Sequence, residues 1–193
     1  MRFFHVLLSV LPAFFWLAVI FGFDEPYIAA ETLIAAAAHE LGHIIAIFAL
    51  TGEDISLPRA AAYGLKIKTK RLSYGKEAVA ALSGPIVNLL LFALSLTFFQ
   101  NSEYMISFAL INLLTALSNL LPIEGYDGYR ALFSFLSLLS PTHRTDRVMR
   151  RISFFMSVAI TFFSLYLLLR FGEGYWLFAV FFCTAMKFLF RKG

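Results

Sequence analysis

The sequence predicts an all-α polytopic membrane protein. It has six transmembrane helices, a short cytoplasmic β-hairpin-like segment and no extra soluble domain, with residues 1–193 forming one domain. Three observations carry this prediction. The chain is 60% hydrophobic with a mean hydropathy of +0.79, where a soluble domain is about 45–50% apolar. Only 15% of residues are charged, against about 25% in soluble domains. The apolar residues also gather into runs of about 20, the length that crosses a hydrocarbon core as a helix.

The predicted spans are residues 4–23, 28–50, 78–99, 104–121, 152–170 and 175–190. The first run is longer than the apolar core of a signal peptide, and no A-x-A cleavage site follows it, so it reads as a retained helix. Between the second and third spans lies ISLPRAAAYGLKIKTKR. Ile55 and Leu57, then Leu65 and Ile67, alternate with polar residues, punctuated by Pro58 and Gly64. That pattern reads as two short strands; a plain basic loop is the alternative. The apolar run at 132–139 is too short to span and reads as a helix at the membrane surface or against the bundle.

Loop charges give an orientation. One set of loops carries Arg2, Arg59, Lys66, Lys68, Lys70, Arg71, Lys76, Arg130, Arg144, Arg147, Arg150, Arg151, Arg191 and Lys192. The other carries Asp24, Glu25, Glu103 and Glu173, with Arg170 as its nearby cation. Lysine and arginine concentrate on the cytoplasmic side. Six spans with both termini in the cytoplasm satisfy this, so the chain is expected to be a multi-pass protein of the bacterial cytoplasmic membrane. The formal charge of +4 therefore reflects topology. No nucleic-acid module appears, and Cys183 reads as a small apolar filler.

Chemistry enters at AAAAHELGHIIA, residues 35–46. Ionisable groups at membrane depth are costly and mark functional sites. His39-Glu40-Leu41-Gly42-His43 is an HExxH pattern on the second span. Residues four apart share one helical face, so both imidazoles can hold one zinc ion with Glu40 beside its water. Shuffling four histidines and eight glutamates through the chain gives about 0.003 such patterns by chance, which makes this one informative. The alanines before His39, with Gly42, allow close helix approach.

Catalytic zinc takes three protein ligands and a water. His5, at the start of the first predicted span, and His143, in a basic loop, are poor candidates. Asp127, in NLLPIEGYDGYR, is the better third ligand. It follows the fourth span, whose helix Pro122 ends or kinks, and Gly125 and Gly128 flank it. Glu124 is the rival. Asn88 and Asn119 also lie at membrane depth, either bonding a neighbouring helix or serving the site. Asn112 reads as interface glue.

Three motifs thus occur in order: HELGH; Ser83-Gly84-Pro85-x-x-Asn88; and Asn119-x-x-Pro122 followed by Asp127-Gly128. Together they cover about residues 28–129 and resemble the site-2 protease family of intramembrane zinc metalloproteases, most closely its stage IV sporulation protein FB-like branch. That branch often carries a C-terminal CBS domain, which the sequence to residue 193 does not show. Glu124-Gly125-Tyr126 replaces the family's usual proline-rich turn.

The resemblance implies zinc on His39, His43 and Asp127, with Glu40 catalytic. It implies that Asn88 and Asn119 line the site, as substrate or oxyanion contacts. It also implies hydrolysis of a peptide bond in or beside a substrate's membrane segment. The strands read at Ile55, Leu57, Leu65 and Ile67 are expected to hold the substrate extended as an added strand. The expected partners are the lipid bilayer, a membrane-associated substrate such as a transcription-factor precursor, and inhibitory membrane proteins. A non-catalytic metal-binding scaffold and a metal transporter are the competing classes. Intact Glu40 argues against the scaffold, and a single concentrated site argues against the transporter.

Overall fold

The computed structural model describes residues 26–52, 72–98, 102–171, 181–182 and 184–186. Five helices organise them: α1 (Pro26–Thr51), α2 (Tyr74–Phe98), α3 (Glu103–Asn119), α4 (Asp127–Leu139) and α5 (Thr142–Phe171). Helix α2 is the hub, packing against α1, α3 and α4; α1 also meets α3, and α4 meets α5.

Local chemistry sets the helix ends. Pro26 opens α1, where its missing N–H costs no helical bond. Gly52, at φ 63°, follows Thr51 as a left-handed terminator, and Lys76 Nζ donates to the Leu50 carbonyl at 2.7 Å. Small residues set the spacing between α1 and α2. A Cβ on Gly42 would lie 2.9 Å from both the Ser83 carbonyl oxygen and Val87 Cγ2. Facing it on α2, Ala80, Ala81 and Gly84 are buried.

The radial pattern is inverted relative to a water-soluble protein. Thr32, His39, His43, Asn88, Ser95, Asn112 and Thr115 are buried, whereas Leu41, Ile45, Phe48, Ile86, Leu90, Leu94, Phe155, Phe162 and Leu169 are exposed. A lipid environment accounts for this: apolar side chains need no burial there, while polar ones must find partners inside.

The expectation of six spans with a β-hairpin is corrected. Three described helices, α1, α2 and α5, are long and apolar enough to cross a membrane. Among the described residues every regular element is a helix, without a strand, on a plan other than the one expected. The predicted fourth span is the 17-residue α3, about 25 Å long against a hydrocarbon core of about 30 Å. Pro122 explains the shortfall. Proline disfavours helical geometry in the residue before it, and α3 stops at Asn119. The stop expected at Pro122 thus falls two residues before the predicted end of the span at 121.

The span at 4–23 and the strand residues Ile55, Leu57, Leu65 and Ile67 lie outside the described residues. Of the run at 175–190, residues 181–182 and 184–186 are described as helical. The short helix expected at 132–139 begins earlier, at Asp127. Helix α5 begins at Thr142, carrying its basic turns directly into the apolar run.

Candidate metal centre

The i, i+4 spacing on α1 puts His39 and His43 on one buried face, with Nε2 atoms 3.1 Å apart. Asp127 reaches them from the first turn of α4. Its Oδ2 lies 2.9 Å from His39 Nε2 and 3.0 Å from His43 Nε2. All three side chains are buried. They form a candidate metal-binding triad whose ligand atoms lie within 4.8 Å of one another.

The turn at residues 120–126 delivers Asp127. Tyr126 N–H closes on the Ile123 carbonyl at 3.0 Å, and Gly125 supplies a φ of 108°, a conformation costly for residues with a Cβ. Ile123 is fully buried beneath the turn. Helix α5 holds the turn from the other side: Glu124 N–H donates to Ser153 Oγ at 2.8 Å. Glu124 is therefore placed through its backbone and is not in the triad.

Hydrogen bonds fix the imidazole tautomers. Asn112 Nδ2 donates to the Phe108 carbonyl at 2.9 Å, which turns its Oδ1 toward Asn88. Asn88 Nδ2 then donates to Asn112 Oδ1 at 2.8 Å and to the Ala35 carbonyl at 3.0 Å. Asn88 Oδ1 is left facing His39 Nδ1 at 2.7 Å, so that nitrogen carries the hydrogen. His43 Nδ1 faces the Ala80 carbonyl at 2.7 Å, an acceptor only, and carries its hydrogen too. Both neutral rings therefore aim an Nε2 lone pair at the point Asp127 Oδ2 also faces. Three acceptors cannot converge there without a cation or added protons between them. Outer partners that orient metal-bound histidines in this way are a general feature of metal sites.

Gly84 forms the floor. A Cβ there would stand 2.5 Å from His43 Nε2 and 2.8 Å from His39 Nε2, so glycine is required for α2 to pass this close to the ligands. Asp127-Gly128 has a similar cause, since a Cβ on Gly128 would run into the Leu120 carbonyl. Burial pushes the Asp127 carboxyl up, but its contacts with the His39 and His43 rings more than offset this and hold it well below the usual carboxylate range. Burial alone pushes the neighbouring Tyr126 hydroxyl up.

The other sequence candidates separate. Glu40 is exposed on α1 beside the two buried ligands. Asn88 is at the centre, but its oxygen and both amide hydrogens are engaged by His39, Ala35 and Asn112, so it orients a ligand and has no N–H left for an oxyanion. Asn119 donates to its own helix, at the Thr115 carbonyl, 3.0 Å away, and does not meet the triad. Sequence reasoning left the Ala80 carbonyl unassigned and read Asn112 as interface glue. A second asparagine at membrane depth was the available signal for Asn112, since it too needs a partner there.

Asn88→Ala should lower metal affinity about 10–100-fold by freeing the His39 ring, measured by competition with a chromogenic chelator. Wild-type affinity in that variant would refute the orienting role.

Comparison of the chain with protein-family models, with curated proteins and with solved structures finds no match.

Proposed function

We propose that this chain is an intramembrane zinc metalloprotease that hydrolyses a peptide bond in or beside a substrate's transmembrane segment. The observation that carries the reading is the convergence of His39 Nε2, His43 Nε2 and Asp127 Oδ2 within a helical bundle built to sit in lipid. Two imidazoles and one carboxylate, with a fourth position for water, are a catalytic zinc ligand set. A regular tetrahedral zinc site has ligand-to-ligand edges of about 3.3 Å. The separations of 2.9, 3.1 and 3.0 Å lie a few tenths below that, so small rotations admit the ion. Calcium and magnesium prefer oxygen ligands, which favours zinc.

Zinc at this site supplies Lewis-acid polarisation of a carbonyl and acidifies water. The chain's own residues do the rest. Glu40 takes the proton from the attacking water and gives one to the departing amine. Its exposure, next to two buried ligands, leaves its carboxylate open to both. Asn88 and the Ala80 carbonyl hold the ligand rings, so the imidazoles need not reorganise as charge develops. A substrate helix keeps its amides bonded internally and must unwind locally before its peptide bond reaches the site.

The arginine-rich start of α5 and the site-bearing end of α2 belong on the cytoplasmic side by the charge rule. Water therefore reaches Glu40 from there. The substrate class we propose is a membrane-associated protein, such as a precursor of a transcription factor of the sporulation type, with inhibitory membrane proteins as regulators. Comparing membrane-protein fragments from cells with the wild-type chain and with Glu40→Gln tests this. A new N-terminus within or beside a transmembrane segment should appear with the wild type alone. Identical fragment sets would refute the reading.

A further inference from the structure

The third ligand is held by more than its turn. Asp127 Oδ1, the oxygen facing away from the imidazoles, accepts from Arg130 Nη1 at 3.2 Å. The same guanidinium donates through Nη2 to Glu77 Oε1 at 2.7 Å. Arg130 lies one turn along α4 from the ligand, and Glu77 lies in the first turn of α2. Helix α2 also carries Ala80, Gly84 and Asn88, which set His43 and His39. One planar cation therefore ties the helix that delivers the carboxylate to the helix that orients the histidines. Guanidinium suits this bridge because its N–H groups form a rigid fork, where an ammonium is a point charge on a flexible stem.

We propose that Arg130 is a positioning residue for the metal centre, directed by Glu77. With Oδ1 engaged, Asp127 offers the ion Oδ2 alone, so the carboxylate binds through one oxygen and leaves the fourth position free for water. Glu77 has a second part in this. An unpaired guanidinium beside Asp127 would oppose a divalent cation. Glu77 neutralises it, so Arg130 orients the ligand without placing net positive charge beside the ion. The strap faces outward: Arg130 is 44% and Glu77 31% exposed. Both line a cavity of about 400 Å³ with Tyr74, Tyr129 and Phe133. Salt reaches the pair there and should weaken it, unlike the buried bonds of Asn88.

This inference rests on the metal reading, and zinc binding by the full-length chain separates the two. Chelator competition should give the wild type one tightly bound zinc. Arg130→Ala should bind about 10–100-fold more weakly, with a zinc-edge X-ray absorption spectrum changed toward two-oxygen carboxylate coordination. Arg130→Lys should restore little of the loss. Glu77→Gln should weaken zinc in the same direction, and adding it to Arg130→Ala should cost little more, because both act through one bridge. Thermal unfolding guards against a merely structural effect. The zinc-induced rise in melting temperature should shrink in Arg130→Ala, beyond any change in the zinc-free protein. Wild-type affinity and an unchanged spectrum in Arg130→Ala would overturn the strap alone. A wild-type chain that binds no zinc would overturn the metal reading and the strap with it.

Discussion

Replacing Glu40 with glutamine is expected to cut peptide-bond cleavage about 10²- to 10⁴-fold, the usual contribution of a positioned general acid–base. That corresponds to about 3–5 kcal/mol of transition-state stabilisation. Zinc content should stay at the wild-type level. The two outcomes separate because Glu40 is exposed and outside the triad, whereas His39, His43 and Asp127 are buried within it. Glutamine preserves size and polarity but cannot accept the proton. The check is a purified assay in detergent or lipid with zinc measured on the same samples. Undiminished zinc-dependent cleavage by Glu40→Gln would sink the assigned role.

Removing a ligand should have the opposite signature, with metal and activity lost together. His43→Ala deletes one of two imidazoles and also leaves the Ala80 carbonyl without its donor. Zinc affinity should fall by more than about 100-fold, beyond what an outer partner costs. Asp127→Ala should also lose zinc, and it leaves the Arg130 guanidinium bonded to Glu77 without its second acceptor. Each variant should lose the stabilisation that bound zinc gives the wild type, since a ligand selective for the folded state stabilises it by mass action. Zinc stoichiometry by elemental analysis, with thermal unfolding before and after chelation, reads both effects. Wild-type zinc in both variants would refute the site.

Sequence and structure divide the chain at definable places. The paired histidines were legible because an α-helix fixes which residues share a face, and His39 and His43 need only α1 to be helical. Asp127 was legible as the better third ligand with Glu124 as its rival, but how the turn presents one and not the other was not. Both sit near one turn, and the difference lies in which atom the turn presents: Glu124 gives its backbone N–H to Ser153, while Asp127 gives its carboxylate to the histidines. The span plan failed at α3, whose end at Pro122 was legible but whose 17 residues are too short to cross.

The sequence by itself therefore determined a lipid-adapted helical chain and the residue types of the centre. Those follow from composition and from the 3.6-residue period, which are properties of short segments. Only the tertiary structure decided how the centre is held. The relay from Phe108 through Asn112 and Asn88 to His39 crosses three helices, and the strap from Glu77 through Arg130 to Asp127 crosses two. These partners are brought together by helix packing, with Gly42 and Gly84 allowing α1 and α2 to come close. Tautomer and carboxylate orientation are decided by such contacts between distant segments, which no local period encodes.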